Sequence, residues 1–220
     1  ESPVPDAREA QQFVGSEIEI LSDREVAGYT RIRGGWNNGR AYTVYFYAET
    51  DKPFVKSATW KGDHITNDAY QYDSYEKTGA LLRFADSDTV VQVKVGISFI
   101  SSRRAQVNAH ANIPHWSFET VRRDLVRQWE QLFRTIQISP RTPEAQKRMF
   151  YTALYHTMLM PVDRTGENPL WNDPEPYYDD FYAIWDTYRT SSPLITLIDP
   201  QREVDIIRSL VNIYKRDGYM

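Results

Sequence analysis

The stretch "VVQVKVGISFISSRRAQVN", residues 90–108, contains the point at which the sequence changes from a strand pattern to a helix pattern. Up to Ile100, apolar and polar residues alternate with the period of two that is typical of a strand. Immediately afterwards, Ser101 or Ser102 can cap a helix that runs to about Ala111. The sequence therefore predicts that β structure ends, and α structure begins, close to residue 100.

Three earlier segments show the same alternation, namely Glu17–Leu21, Tyr42–Glu49 and Phe54–Trp60. Stretches rich in Gly, Asn, Asp and Pro separate them, and such residues favour turns. Strands at spacings of about ten residues predict an antiparallel sandwich or meander rather than βαβ units. We expect residues 1–100 to form a β-sandwich that is incomplete at its N-terminal side.

Helical periodicity dominates the chain after residue 100. Further helices are predicted over Ser117–Phe133, from Thr142 and Pro143 to about Pro161, from about Phe181 to Ile198, and from Pro200 to Tyr214. Strands followed by helices indicate a multi-domain, all-β then all-α fold. We interpret residues 101–135 as linker helices and residues 136–220 as the beginning of a helical domain.

Composition narrows the classes of function. The chain has 220 residues, a net charge of −4 and no cysteine, and its isoelectric point is about 5.6. The charge gives no reason to expect nucleic acid as a partner, and no apolar stretch approaches the roughly 20 residues of a membrane span. The aromatic share is 14%, with fifteen Tyr and six Trp. Such side chains suit sugar rings, but β-sandwiches are also rich in Tyr.

Four residues near the C-terminal end suggest a ligand site. They lie within "YYDDFYAIWDTYRTSSPLITL", residues 177–197. On one continuous helix, Trp185, Tyr188 and Arg189 share a face, and Asp186 lies one turn from Arg189. An indole, a carboxylate and a guanidinium can together hold a sugar. The alternative is an internal Asp–Arg pair beside a core Trp.

Three other features carry weaker hypotheses. Trp36 lies in "RGGWNNGR", which predicts a hairpin turn and leaves a binding role for the indole open. The loop over residues 163–180 is rich in carboxylates, and it either supplies one glycosidase carboxylate or is a solvated acidic loop. The four histidines show no metal-ligand spacing, so the pattern does not favour zinc.

Several segments resemble glycoside hydrolase family 92, the calcium-dependent exo-α-mannosidases. They are "VKVGISFISSRRAQVN" (93–108), "WEQLFRTIQI" (129–138), "QKRMFYTALYHTMLMPV" (146–162) and "YAIWDTYRTSSPLITLIDPQREVDIIRSLVNIYK" (182–215). They occur in the order found in the family. The resemblance covers roughly Tyr42 to Met220 and is weakest in the strands.

The resemblance implies a β-sandwich followed by the first helices of an (α/α)₆ barrel, and it implies inverting hydrolysis of terminal α-mannosides with the help of Ca²⁺. The family's WD-x-x-R motif matches Trp185, Asp186 and Arg189, which are therefore expected to bind substrate. The family's partners are mannose-terminated glycans, such as mannose-rich N-glycans. Members of the family are commonly secreted, so the resemblance implies that this protein is located in the periplasm, at the cell surface or outside the cell. The first residues of the chain do not follow the pattern of a signal peptide.

The family's acid Glu, its base Asp and most of its calcium ligands belong to motifs that do not occur before Met220. We therefore expect the chain to be part of a longer enzyme. The remainder of the same polypeptide, or a second fragment, would complete the barrel. The alternative is a non-catalytic carbohydrate-binding or structural β-sandwich with a helical appendage.

Overall fold

The computed structural model describes residues 11–34 and 40–218, so Trp36 lies outside the described residues. The chain divides into two compact units, residues 1–118 and residues 119–220. Within the described residues no helix is both long enough and apolar enough to cross a membrane.

Unit 1 is built from antiparallel strands. They are β1 (Gln11–Ile20), β2 (Glu25–Gly34), β3 (Tyr42–Thr50), β4 (Phe54–Lys61), β5 (His64–Thr66), β6 (Tyr70–Asp73), β7 (Thr78–Phe84) and β8 (Val93–Ser98). One sheet has the order β6-β1-β2-β3-β8 and the other the order β5-β4-β7. Strands β2, β5, β6 and β7 lie in regions where the alternation of the sequence was too weak to predict them.

The two sheets enclose an apolar core. Ile18, Val26 and Phe54 are buried there, and Phe46 and Phe84 pack against them. The rings of Phe54 and Phe84 meet edge to face, with centroids 6.3 Å apart. Side chains from the facing sheets therefore interlock as in an open β-sandwich, which confirms the predicted fold of this part of the chain.

Helix α1 (Ser102–Asn112) covers the other face of the five-stranded sheet. Its N-cap is Ser101, one of the two serines that the sequence offered, and its hydroxyl accepts a hydrogen bond from the backbone N–H of Arg104. Ala105 and Ala109 are buried against Ala27 and Tyr47. Small residues at the contact allow the helix backbone to lie close to the sheet.

Strand β8 buries the opposite face from the one its hydrophobicity suggests. Val93, Val95 and Ile97 are more than half exposed, whereas Lys94 is only 7% exposed and Ser98 only 1%. The Lys94 ammonium lies 4.1 Å from the centre of the Trp116 ring, so a cation–π contact compensates its burial. The alternation predicts the strand correctly, but α1 determines which face is covered.

Unit 2 is mainly helical. Its elements are α2 (Phe118–Phe133), α3 (Glu144–Thr157), β9 (Val162–Asp163), β10 (Tyr178–Asp179), α4 (Ile184–Thr187), α5 (Ser191–Ile198) and α6 (Pro200–Asp217); α2 begins at the boundary with unit 1. Aromatic rings join α2 to α3, with Trp129 and Tyr155 4.7 Å apart between centroids and Phe133 and Tyr151 5.7 Å apart. These helices follow the predicted order and confirm that helices succeed the sandwich, but the short strands β9 and β10 were not predicted.

The single helix predicted from Phe181 to Ile198 is wrong, because α4 ends at Thr187 and α5 begins at Ser191. A continuous helix would place Pro193 in its interior. The proline ring would then clash with the carbonyl of Arg189 four residues earlier, and its missing N–H would leave that carbonyl unpaired. Restarting the helix at Ser191 puts Pro193 in a first turn, where proline is tolerated.

Candidate functional site

The short helix α4 and the residues around it carry the predicted sugar-binding side chains. Tyr182, just before α4, donates a hydrogen bond from its hydroxyl to the backbone carbonyl of His156, with 3.5 Å between the oxygens. The helical turn follows at Ile184–Thr187. The contact fixes the start of the segment beside the C-terminal end of α3.

Trp185, Asp186 and Arg189 all lie on the surface of unit 2. Trp185 is 78% exposed, and Asp186 and Arg189 are also classed as exposed. An internal Asp–Arg pair beside a core Trp is therefore not what the structure contains. Because the helix ends at Thr187, Arg189 no longer lies one helical turn from Asp186 as the sequence predicted.

Arg189 has a different neighbour from the one expected. Its guanidinium carbon lies 5.0 Å from the centre of the Tyr188 ring, and its Nε is in very short contact with the Tyr188 hydroxyl. Across residues 11–34 and 40–218, no hydrogen bond or ion pair involves the Asp186 carboxylate. The segment thus presents the exposed indole of Trp185, the Asp186 carboxylate without a described partner, and the Arg189 guanidinium packed against Tyr188. Ligands rich in hydroxyl groups are bound by groups of these kinds.

A shallow groove runs along α3, close to this segment. Its volume is about 610 Å³, and it is lined by Ala145, Arg148, Met149, Thr152, Ala153 and His156. These residues recur every three or four positions, so they form one face of the helix. His156 connects the groove to the segment around α4, since its carbonyl accepts the hydrogen bond from Tyr182.

The acidic loop between β9 and β10 is held by cations and amides. Asp173 accepts hydrogen bonds from Asn212 (3.0 Å) and Arg216 (3.1 Å), and the Asn212 bond is the main reason that the pKa of Asp173 lies below its ordinary value. Glu175 accepts from Arg208 at 2.8 Å. These carboxylates anchor the loop to α6, so the suggestion of a merely solvated loop does not describe them.

Ion pairs to a single arginine hold the residues around β10, at the C-terminal end of the loop. Arg164 pairs with Asp179 at 3.2 Å and is in very short contact with Asp180. Asp180 adopts the left-handed backbone conformation, with φ of 57°, which is uncommon outside glycine but tolerated by Asp. One guanidinium thus contacts both carboxylates and holds this end of the loop in place.

Glu203 is a buried carboxylate that the sequence reasoning missed. It lies in the first turn of α6 and is only 8% exposed. Burial raises its pKa above the ordinary value, and a hydrogen bond to Ser192 opposes this effect only in part. Its Oε2 has no hydrogen-bond partner within the described residues. The available signal was helical spacing, because Glu203 lies three residues before the buried Ile206.

Calcium would need about six to eight oxygen ligands. Among residues 11–34 and 40–218, no group of three or more His, Asp or Glu side chains is placed to hold a metal ion. Arg or Asn side chains already bind four of the loop carboxylates, namely Asp173, Glu175, Asp179 and Asp180.

Comparison with known families gives two matches that together cover most of the chain. A model of the glycosyl hydrolase family 92 N-terminal domain matches residues 4–98. A model of the glycosyl hydrolase family 92 catalytic domain matches residues 104–220. The boundary between them coincides with the change from strand to helix periodicity near residue 100.

Individual proteins show the same relationship. The chain is 41% identical over 121 residues to an uncharacterized secreted glycosidase of Arthroderma benhamiae, which covers 52% of this chain and 16% of that protein. A family GH92 inverting mannosidase of Bacteroides thetaiotaomicron superposes with a TM-score of 0.78 and 26% identity over 97% of this chain. A second GH92 glycosyl hydrolase gives a TM-score of 0.75 and 26% identity over 92% of the chain.

The chain is short compared with these proteins. It spans 31% of the first solved structure and 28% of the second. The sandwich and the helices that follow it therefore correspond to about a third of such an enzyme.

Proposed function

The chain belongs to glycosyl hydrolase family 92, as its motifs predicted, and from this we propose that it is part of an inverting, calcium-dependent exo-α-mannosidase. The substrates proposed are the terminal α-mannosides of glycans, such as mannose-rich N-glycans. The family match over both halves of the chain is the observation that carries the proposal. The inverting mannosidase among its structural relatives supports the reaction type.

We assign Trp185, Asp186 and Arg189 to the subsite that holds the terminal mannose. The exposed indole of Trp185 would stack on the apolar face of the sugar ring. The Asp186 carboxylate, which has no partner in the described part of the chain, would accept hydrogen bonds from two hydroxyls, and Arg189 would donate to a third. Trp36 also remains proposed as a substrate-binding residue, without assignment to this subsite. These groups bind and orient the sugar, and none of them is assigned the bond-breaking step.

Inversion needs two more carboxyl groups. One protonates the leaving oxygen while the other activates a water on the opposite side of the ring. We expect this Glu and this Asp outside residues 1–220, together with most of the oxygen ligands of Ca²⁺, which would bind sugar hydroxyls and assist ring distortion. The partners proposed for the chain are accordingly the rest of the polypeptide, or a fragment that completes the barrel, and mannose-terminated glycans.

Location is part of the same proposal. The relative from Arthroderma benhamiae is described as a secreted glycosidase. We propose the periplasm, the cell surface or the exterior.

The proposal is tested by substituting Asp186 in the full-length protein. Asp186→Ala is expected to lower kcat/KM for an aryl α-mannoside by about tenfold or more, which corresponds to about 1.4 kcal/mol of lost transition-state stabilisation. Asp186→Asn keeps the shape of the side chain and is expected to retain part of the binding. Asp217→Asn is the matched control, since it removes an exposed carboxylate at the far end of α6.

Two results would count against the assignment. Wild-type kinetics for Asp186→Ala would remove Asp186 from the sugar site while leaving the family function intact. Absence of hydrolysis by the calcium-loaded full-length protein, combined with retained glycan binding, would favour the non-catalytic carbohydrate-binding alternative.

A further inference from the structure

We propose that unit 1 carries a second glycan-binding surface on the part of the five-stranded sheet that α1 leaves uncovered. The surface is formed by Tyr29, Tyr45, Tyr70, Tyr72 and Glu17, which we call the tyrosine platform. It belongs to the sandwich and is built independently of the WD-x-x-R segment.

Strand register assembles the tyrosine platform. Tyr72 on β6 lies opposite Glu17 on β1, Glu17 lies opposite Tyr29 on β2, and Tyr29 lies opposite Tyr45 on β3. Residues directly opposed on neighbouring strands project to the same side of a sheet. These four side chains therefore form one row across four strands, and Tyr70 joins them because it lies two residues from Tyr72.

The row is only partly covered. Alternation places it on the same side as Ala27 and Tyr47, which lie beneath α1. Tyr70 and Tyr72, on the edge strand β6, are 50% and 49% exposed. Tyr29 and Tyr45 are half-buried, and their rings meet edge to face with centroids 5.5 Å apart. One end of the platform is thus fixed by packing, and the other end is open to a ligand.

Polar atoms lie between the rings. The Tyr70 hydroxyl donates to Oε2 of Glu17 at 3.1 Å, and Oε1 of Glu17 has no hydrogen bond to any other described residue. The Tyr72 hydroxyl and the Ser74 hydroxyl share a hydrogen bond of 2.7 Å. Burial, reinforced by the Glu17 charge, raises the pKa of Tyr29, so its phenol stays neutral.

This combination fits a neutral oligosaccharide. Phenol rings offer flat apolar surface to the faces of pyranose rings, and the free carboxylate oxygen can accept from hydroxyls. Glu17 and the exposed Glu19 make the β1 side of the platform unfavourable for phosphate or sulfate groups. Four strands span about 14 Å at the usual spacing, which is long enough for more than one sugar ring. The proposal commits to α-mannan as this neutral oligosaccharide, and that choice rests on the proposed function.

Binding is tested with the full-length protein and a soluble α-mannan in affinity electrophoresis. The double variant Tyr70→Ala/Tyr72→Ala is expected to weaken binding by about tenfold or more, because the exposed rings supply the stacking surface. Tyr75→Ala is the matched control, since Tyr75 is 92% exposed but lies outside the platform. Tyr75→Ala should bind within about twofold of the unmodified chain.

Hydrolysis by the full-length protein separates this surface from the terminal-mannose site. The double variant should hydrolyse an aryl α-mannoside at the normal rate and α-mannan several-fold more slowly.

Unchanged mannan binding by the double variant, or no mannan binding by the parent chain, would overturn the platform whatever the hydrolytic activity. A large fall in Tm of the full-length double variant, with mannan binding unchanged, would show that this face packs against protein instead. If the full-length protein cleaved no α-mannoside, the proposed function would be refuted, but a measured affinity of the tyrosine platform for mannan would still stand.

Discussion

The hydroxyl of Tyr47 donates a hydrogen bond to Oε1 of Glu25 across strands β3 and β2, with 2.5 Å between the oxygens. Tyr47 is 1% exposed and lies beneath α1, from which Gln106 donates to the same oxygen at 3.3 Å. Burial and the neighbouring carboxylate raise the pKa of Tyr47 to about 12, so the phenol remains a donor at ordinary pH. The pair therefore joins two strands and the helix through one carboxylate.

Tyr47→Phe is expected to lower the free energy of unfolding by about 1–3 kcal/mol, because it removes a buried hydrogen bond to a charged group. The Tyr47 bond is the main cause that lowers the pKa of Glu25 below its ordinary value. Stabilisation by Glu25 is thus present above pH 4.5 and is lost as the pH falls through the folded pKa. The free energy of unfolding should therefore fall less between neutral and acidic pH in Tyr47→Phe than in the unmodified protein, as measured by urea unfolding at both pH values. Tyr45→Phe is the control. If it lowered the free energy of unfolding as much as Tyr47→Phe does, the explanation would be contradicted.

Gly96→Ala is expected to detach α1 from the sheet. A Cβ at Gly96 would lie 2.1 Å from the backbone oxygen of Ala105 and 2.8 Å from the Ala109 Cβ, so backbone would have to move. Overpacking of this kind typically costs about 1–3 kcal/mol. Hydrogen exchange should become faster throughout α1, whereas Val95→Ala on the exposed face of β8 should leave α1 protected. Unchanged exchange in Gly96→Ala would show that the helix tolerates the shift.

Glu203→Gln is expected to change how stability depends on pH. Since burial raises the pKa of Glu203 in the folded state, the folded protein binds this proton more tightly than the unfolded chain does. The contribution of Glu203 to stability is fully present below about pH 4.5 and is lost as the pH rises through the folded pKa. Tm measured from acidic to neutral pH should therefore show the greatest gain of Glu203→Gln over the parent at neutral pH. Glu144→Gln, an exposed control in the same unit, should follow the parent, and a Glu203→Gln profile parallel to the parent would refute this account.

Ser209→Ala is expected to loosen the acidic loop. The Ser209 hydroxyl is fully buried and accepts from the backbone N–H of Tyr178 at 2.8 Å. Its loss leaves a buried N–H unpaired, at a cost of about 1–3 kcal/mol. Arg208→Ala breaks an ion pair with Glu175 whose side chains are 50% and 43% exposed, and such pairs contribute about 0–1 kcal/mol. Limited proteolysis should cleave the 164–177 loop faster in Ser209→Ala than in Arg208→Ala; the reverse order would show that the surface charges hold the loop.

Much of the fold was predictable because its signals are local. The change of period near Ile100, the Ser101 cap and the order of helices after it depend on neighbouring residues only. The motif from Trp185 to Arg189 was equally visible, since a family motif is recognised by residue type and spacing. Its helical geometry was not predicted, because periodicity alone does not mark the break between Thr187 and Ser191, although Pro193 is a helix-breaking signal in the sequence.

The sequence by itself determined where strands give way to helices and which family the chain resembles. The cap predicted at Thr142 was wrong, because Pro143 is the N-cap of α3 and no side chain caps this helix. Only the tertiary structure decided that Lys94 and Ser98, rather than Val95 and Ile97, lie beneath α1, that Glu203 is buried, and that Tyr72, Glu17, Tyr29 and Tyr45 form one row. Periodicity and capping arise from interactions between residues a few positions apart. Register and burial depend on pairings between segments tens of residues apart, for which one sequence contains no comparable local signal.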